Sequence, residues 1–539
     1  MFYEFKKIKL PEKLRTEFRF STLSFLFIIL YVNVFQKVFG AENSIVGVIF
    51  TIMMSASMVR DMTAEPVKNL LTQALLLVWM AIASSLVTVL PLPFSFIVNF
   101  ATIMLILYSF TYEYSSHIYF PYILSYLFLI FISPVDIQGL PVRIAGMLFG
   151  AFSIIMYQWF MGRNRVVDTA KDVLSEMIDR ICQYIVYKRK ESSIMPDLTD
   201  MHSKLGHLSR TVYDRRKRVL CVSDAGFSML ETGRSLEKML RLIEKMPEEL
   251  TVKESSFLQK ISERLKIYRT FLQGEIPSLP PLEPQELYEE ETEQEAHLYN
   301  TLLYTQDRLE HMTNPEAKSH YRKTKLPLKT RIKIALDLSP VRAVYALRTS
   351  LLLSLGTLFV LGYNLPHGKW LMFTLASVSL PYADDVPAKI KNRILATVSG
   401  GLIAVLIYSL IPSAIGRTVV MMFSGYISFY FINYRETFAC STVGALGGAV
   451  FANAFTFTEV GSIFLIRIGY ILLGSLLGYA ANCFIFPYSR QKAERHLWKK
   501  YKAVTEYLSK KGNNKKIDDQ LYYNLVIHSC LMKDKLSQG

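Results

Sequence analysis

The stretch from Pro381 to Arg393 holds the densest chemistry in the chain: two adjacent carboxylates, Asp384 and Asp385, precede Lys389, Lys391, Asn392 and Arg393. A short apolar run ends at the proline, and the cationic cluster opens the next apolar run. Such groups support two chemistries at the edge of a bilayer. Fixed ammonium and guanidinium charges replace the hydration shell of an anion without holding it too tightly for release. A carboxylate beside cations and apolar walls titrates between two environments and can therefore carry a proton. The same residues also serve as topology anchors and as each other's ion-pair partners, and the sequence leaves these readings open.

Other chemistries have no signature. No nucleotide-binding loop, dinucleotide fingerprint, zinc-protease helix or nucleophile elbow is present, so the reading is not an enzyme, with no cofactor. The cysteines Cys182, Cys221, Cys440, Cys483 and Cys530 are scattered, and no pair has metal-ligand or redox spacing, so no metal site is expected.

The elements that must position the Asp384–Arg393 cluster are membrane spans. About 20 apolar residues cross a bilayer as a helix. Candidates are Ser21–Val38, Ile45–Met58, Asn69–Leu90, Pro93–Phe110, His117–Ile132 and Leu140–Met161, then Val341–Leu361, Trp370–Leu380, Ile394–Leu410, Ala414–Ile432, Phe438–Phe455 and Ile463–Phe486. The second of each six is short. The first run is long, lacks a cleavage site and is followed by further spans, so it does not read as a cleavable signal. The fold class is an all-α membrane protein of two parallel-repeat six-helix transmembrane bundles with an intervening helical domain. The boundaries are 1–162 for the first bundle, 163–338 for the middle domain, 339–487 for the second bundle and 488–539 for a basic tail.

Net charge is +16, and its distribution matters more than its size. Lys6 through Arg19 precede the first span, Arg60 and Lys68 follow the second, and Arg163 and Arg165 follow the sixth. Arg331 through Arg348, Lys389 through Arg393 and Arg490 through Lys500 repeat that placement in the second half. The opposite loops, such as Gly40–Ser44 and Pro91–Pro93, are short and nearly uncharged. This positive-inside pattern puts both termini and the middle domain in the cytoplasm, and it accounts for the charge without a nucleic-acid partner.

The two apolar thirds align as repeats. A shift of 323 positions superposes Asp61 on Asp384, Lys68-Asn69 on Lys391-Asn392 and Glu113 on Glu436, and a shift of 324 superposes Arg143 on Arg467. Matched charges inside apolar sequence are harder to obtain by chance than matched leucines. An even number of spans per copy makes the copies parallel.

Between the bundles, helical periodicity marks Arg163–Lys190 and segments near 199–218, 225–245, 254–272 and 295–311. The Pro- and Glu-rich stretch 274–295 reads as a linker that cannot bury a core. In the tail, Leu508, Leu521, Leu525 and Ile527 could dock on the middle domain or belong to a solvated segment.

The six–soluble–six layout, with the run Arg393-x-x-x-Thr397-x-x-Gly400 after the short span, resembles the fusaric acid resistance family of membrane transporters. That family includes bacterial aromatic acid exporters and is distantly related to plant malate channels. The first bundle departs from the run, with Leu70 at the Arg393 position and Ala74 at the Thr397 position, so a cationic site would be asymmetric or confined to the second half. The resemblance implies a plasma-membrane exporter of small organic anions such as aromatic carboxylic acids, driven by a proton gradient or the membrane potential. Substrate-path candidates are then Arg348, Lys391, Asn392, Arg393 and Thr397, with Arg467 and Arg143 toward the opposite end and Lys68 in the first bundle. Asp384, Asp385 and Asp61 are candidates for proton coupling, and Tyr382, Trp370 and Phe373 could face an aromatic ring. His367, in a short outer loop, reads as exposed. The alternatives are a gated organic-anion channel and a membrane scaffold whose middle domain recruits an accessory envelope protein. The lipid bilayer is the obligate partner, and a homo-oligomer is permitted.

Overall fold

The computed structural model describes residues 12–57, 66–111, 118–162, 165–198, 200–215, 220–282, 293–314, 316, 320, 324–335, 339–411, 413–431, 433–450, 457–511 and 518–537. Every regular element among them is a helix. In the first third these are α1 (Glu12–Phe39), α2 (Ser44–Ser57), α3 (Pro66–Val89), α4 (Leu92–Phe110), α5 (Tyr119–Phe131) and α6 (Leu140–Gly162). The last third holds α13 (Pro340–Gly362), α14 (Lys369–Val378), α15 (Val386–Leu410), α16 (Ala414–Ile427), α17 (Tyr434–Val450) and α18 (Phe457–Phe484).

Among the described residues, seven helical segments are long and apolar enough to cross a membrane: Ser21–Phe39, Pro66–Val89, Leu92–Phe110, Leu140–Phe160, Pro340–Gly362, Ala383–Leu410 and Val460–Phe484. With helical backbone satisfied internally, these segments suit a solvent that offers no hydrogen bonds. The chain is an all-α, multi-pass membrane protein. The expected short second spans are short helices in the structure, α2 with 14 residues and α14 with 10, and α5, with 13, is short as well.

Six helix pairings recur in the two bundles. The contacts α1–α2, α1–α6, α2–α6, α3–α5, α3–α6 and α4–α5 have as counterparts α13–α14, α13–α18, α14–α18, α15–α17, α15–α18 and α16–α17. Between bundles, α4 lies broadly along α13 and α5 meets α14, whereas α1 meets α16 over a much smaller area. That thin edge is polar and aromatic, with the Thr22 and Tyr426 hydroxyls 2.9 Å apart and the rings of Phe25 and Tyr426 edge to face at 5.3 Å.

The polar middle segment forms α7 (Arg165–Lys188), α8 (Asp200–Arg215), α9 (Asp224–Glu244), α10 (Val252–Gln273), α11 (Glu293–Thr313) and the short α12 (Leu328–Ala335). Its helix ends are written in the sequence. Ser223 caps α9 by accepting from the Gly226 N–H, and Thr251 and Glu254 close a reciprocal capping box on α10. Gly274 ends α10 with φ of +81°, a left-handed geometry that glycine adopts without a Cβ penalty.

The tail folds onto this segment as a helical hairpin, α19 (Arg490–Lys511) and α20 (Asp519–Ser537). Tyr523, Val526, Ile527, Cys530, Leu531 and Met532 of α20 are part of the same apolar core as α7 to α11. Specific contacts fix the register. Gln520 bonds both the N–H and the carbonyl of Val222, at 2.8 and 3.0 Å, and Tyr523 stacks on Phe227 with ring centroids 3.8 Å apart. Gly206 leaves room for the Asp534 carboxylate, which pairs with Arg210. Of the residues expected to dock, Ile527 is buried in this core and Leu508, Leu521 and Leu525 are half-buried, with Tyr523 and Val526 buried beside them.

The expected linker is structured at its start. Leu279 is buried in the core, and the Pro280 carbonyl accepts from Arg264 and from Gln306. Leucines spaced among the prolines provide apolar anchors that the Pro and Glu content obscures.

Candidate functional site

The helix α15 begins with proline in its first turn, where the missing N–H costs nothing, and runs Val386-Pro-Ala-Lys389-Ile-Lys-Asn-Arg393 into the apolar interior. Lys389 and Arg393 are four residues apart and so share one face, about 6 Å apart along the axis. The adjacent helix α17 presents Tyr434 and Phe438 at the same spacing. The two pairs interlock: the Lys389 ammonium sits 3.3 Å from the centre of the Tyr434 ring, and the Arg393 guanidinium carbon sits 4.3 Å from that of Phe438. Gly400, two turns further along α15, allows this approach, because a Cβ there would strike the backbone of Ala439.

A third pair continues the series. Arg467, from α18, places its guanidinium carbon 5.2 Å from the Trp370 ring at the start of α14. Arg393 lies close enough to repel it electrostatically. Trp370 is covered in turn by the imidazole of His367, stacked at 4.9 Å and 11°. His367 is thus half-buried on a ring rather than exposed as the loop position suggested. Lys389, Arg393 and Arg467 with Tyr434, Phe438 and Trp370 form a ladder of cations on aromatic faces.

Arg393 is 5% exposed and Arg467 7%, yet the Nε and Nη1 atoms of both are buried without a hydrogen-bond partner. Among the described residues no carboxylate pairs with either. Buried charge is costly unless it is paired and hydrogen-bonded, and an aromatic face offsets only part of the cost. This arrangement has donors and positive charge to offer an anion, with flat apolar surfaces beside them.

The remaining candidates fall into separate places. Arg348, on α13, donates to the carbonyls of Leu380, Pro381 and Phe486, and so ties the loop after α14 to the loop after α18. Arg143 is engaged in the same manner at the other end of its bundle, by Asn43, the Ser133 carbonyl and hydroxyl, and the Glu42 carbonyl. Lys391 and Asn392 are exposed, on another face of α15 from buried Arg393. Thr397 is buried and bonds back to the Arg393 carbonyl at 3.0 Å, the usual resting contact of a helical threonine. Lys68 lies in the first turn of α3, and Asp61 lies outside the described residues.

Asp384 and Asp385 meet the start of α19 instead of the ladder. The Asp384 carboxylate accepts from the Arg490 backbone N–H at 2.7 Å, and Asp385 is bridged by the Arg490 side chain. The loop is held further by Ala383 N–H donating to the Tyr488 carbonyl at 3.0 Å. Tyr382 faces Arg490 and Lys535 of α20, with cation-to-centroid distances of 5.7 and 5.9 Å. Phe373 is edge to face with Phe128 of the first bundle, 5.0 Å away.

Lys389, Tyr434 and Phe438 were not singled out as site residues from the sequence. Their signal was available: a Lys/Arg pair and a Tyr/Phe pair, each at i, i+4, near the starts of two spans of one bundle.

Residues 353–481 match the family model described as fusaric acid resistance protein-like, and this stretch includes all six ladder residues. The inner membrane protein YccS of Escherichia coli (strain K12) is 26% identical over 158 residues, covering 29% of this chain and 22% of that protein. The chain therefore matches only about a fifth of that relative's length. No solved structure matches the chain. The resemblance expected from the six–soluble–six layout and the Arg393–Gly400 run thus holds over the second bundle, and the apolar helices describe a multi-pass membrane protein.

Proposed function

We propose that this fusaric acid resistance protein-like membrane protein moves small organic anions, aromatic carboxylates foremost, along the ladder of Lys389, Arg393 and Arg467. The observation that carries the reading is the pair of buried arginines, each with unpartnered N–H groups and an aromatic face. A carboxylate would find charge-assisted donors, and its ring would find the half-buried Phe438. Successive cations close enough to repel one another let an anion pass from one to the next, because each competes with its neighbour for it. The chemistry needed is binding and release, with no covalent step.

The location is the inner membrane, supported by the relative's, with the polar domain and both termini at the cytoplasmic face. The tail and the middle helices share one apolar core, which supports a common side for these two parts. As for the driving force, Asp384 and Asp385 are held by Arg490 away from the ladder, which favours a path driven by membrane potential over one coupled to protons at these carboxylates. That observation keeps a gated anion pathway as the second reading.

The test is benzoate and 4-hydroxybenzoate efflux from proteoliposomes of the full-length protein, at matched amounts of folded protein. Arg393→Gln and Arg467→Gln should each slow efflux by about tenfold or more, the loss of one charge-assisted hydrogen bond. Lys391→Gln should leave it near normal. Undiminished flux in both arginine variants sinks the assignment. Current recording then separates the mechanisms, since an anion current that ignores a pH gradient is the signature of the uncoupled path.

A further inference from the structure

A second site, far from the ladder, lies where the tail hairpin meets the middle helices. A cleft of about 820 Å³ opens between α8, α9, α11, α19 and α20. This is the size range of small-molecule sites, roughly 300–1,000 Å³. Its walls carry four full cations, Arg234, Lys238 and Arg241 from α9 and Lys533 from α20, against two carboxylates, Glu231 and Glu237.

The carboxylates are already taken. Glu231 accepts from Arg234 at 2.5 Å and from the Tyr304 hydroxyl at 2.8 Å. Glu237 is shared by His202 at 3.3 Å, Lys533 at 3.5 Å and Arg241. Lys238 is exposed and has no ion-pair partner among the described residues. Two positive charges are therefore left unbalanced in a cleft that also presents the rings of Tyr304, Tyr501 and Tyr522.

We infer that this cleft binds a small organic dianion carrying a planar ring, the chemistry shared by a nucleoside monophosphate and an aromatic dicarboxylate. Lys238 and Lys533 supply the charge, and the tyrosines supply the faces. The site is built from two parts of the chain, since α9 and α11 belong to the middle domain and α19 and α20 to the tail. A ligand bridging Lys238 and Lys533 draws the hairpin onto the middle domain. The hairpin in turn holds the loop before α15 at both of its ends, through Arg490 at the start of α19 and Lys535 near the end of α20. Occupancy of the cleft is thereby connected to the helix that carries Lys389 and Arg393. The binding claim stands independently of what the ladder carries.

Full-length protein in nanodiscs is titrated calorimetrically with adenosine monophosphate, phthalate or inorganic phosphate at up to 10 mM. The expected result is saturable binding of one or both ring-bearing dianions, with phosphate at least fivefold weaker. Binding of the nucleotide alone or of phthalate alone identifies the source. The double variant Lys238→Gln/Lys533→Gln should need at least tenfold more ligand, and Arg393→Gln should need no more than wild type. Absence of binding by every probe overturns the site, as does equal binding in the double variant. Equal binding of inorganic phosphate overturns the requirement for a ring. Thermal melts of the same samples show that the double variant is folded.

Discussion

Arg490 grips Asp385 with two nitrogens, Nε 3.0 Å from one carboxylate oxygen and Nη2 3.1 Å from the other. The pair joins the first residue of the tail hairpin to the turn that launches α15. It is half exposed, so its worth to stability is small, about 0–1 kcal/mol. Its importance is positional, because it fixes where the ladder-bearing helix begins.

Breaking that grip should alter transport more than folding. Arg490→Ala and Asp385→Asn are each expected to shift the melting temperature little and to lower efflux clearly. The double variant should lose no more efflux than either single one, since both remove one interaction. Flux and thermal unfolding on the same preparations check this, and additive losses would count against a shared role.

Arg348 should behave in the opposite sense. Replacing it by leucine leaves the carbonyls of Leu380, Pro381 and Phe486 without their buried donor. A loss of about 2–4 kcal/mol is expected. Detergent-solubilised Arg348→Leu should unfold well below wild type, and an unchanged midpoint would remove its role as a fastening.

Much of this was legible in the chain. The apolar runs and the charged edges located the membrane-length helices, and the Pro381–Arg393 motif located the start of the helix that holds two ladder cations, because hydropathy and charge act over whole segments. Which cations stand free was not legible. Arg143, Arg348, Arg393 and Arg467 look alike in sequence, each an arginine in or beside an apolar span. They are distinguished by carbonyls and aromatic rings that arrive from distant helices. The carboxylates posed the same difficulty, since Asp384 and Asp385 meet a partner 105 or more residues away. Tail docking was ambiguous because the anchoring face of α20 is made of tyrosine, asparagine and glutamine as much as of leucine.

Gly400 offers a steric test. Valine there would press on the Ala439 backbone, and helix backbone yields less readily than a side chain. A cost of about 1–3 kcal/mol is expected. Because the displaced α15 carries Arg393 away from Phe438, efflux should fall even in the fraction that folds. Gly469→Ala, at a position with open space around it, is the matched control and should be silent.

Glu237 makes the tail's attachment dependent on pH. Burial alone would raise its pKa, but the hydrogen bond from His202 and the charges of Lys533 and Arg241 outweigh it and hold the carboxyl down at about 2. Its folded value thus lies below the unfolded one of about 4.3, so its stabilising contribution is complete above that value and is lost as pH falls toward the folded one. Glu237→Gln should therefore be less stable than wild type at pH 7, and the gap should narrow as acid is added below about pH 4.5. Melting curves of both proteins between neutral and acid pH test the sign.

The two bundles are fastened unequally. Along one margin α4 and α13 lie together over a broad face, and along the other α1 touches α16 near Thr22 and Tyr426. Two leaves joined in this way share a spine. A small change of angle between them leaves the α4–α13 margin almost still and is magnified at the Thr22–Tyr426 edge, so that edge sustains the widest excursion for the least lost contact.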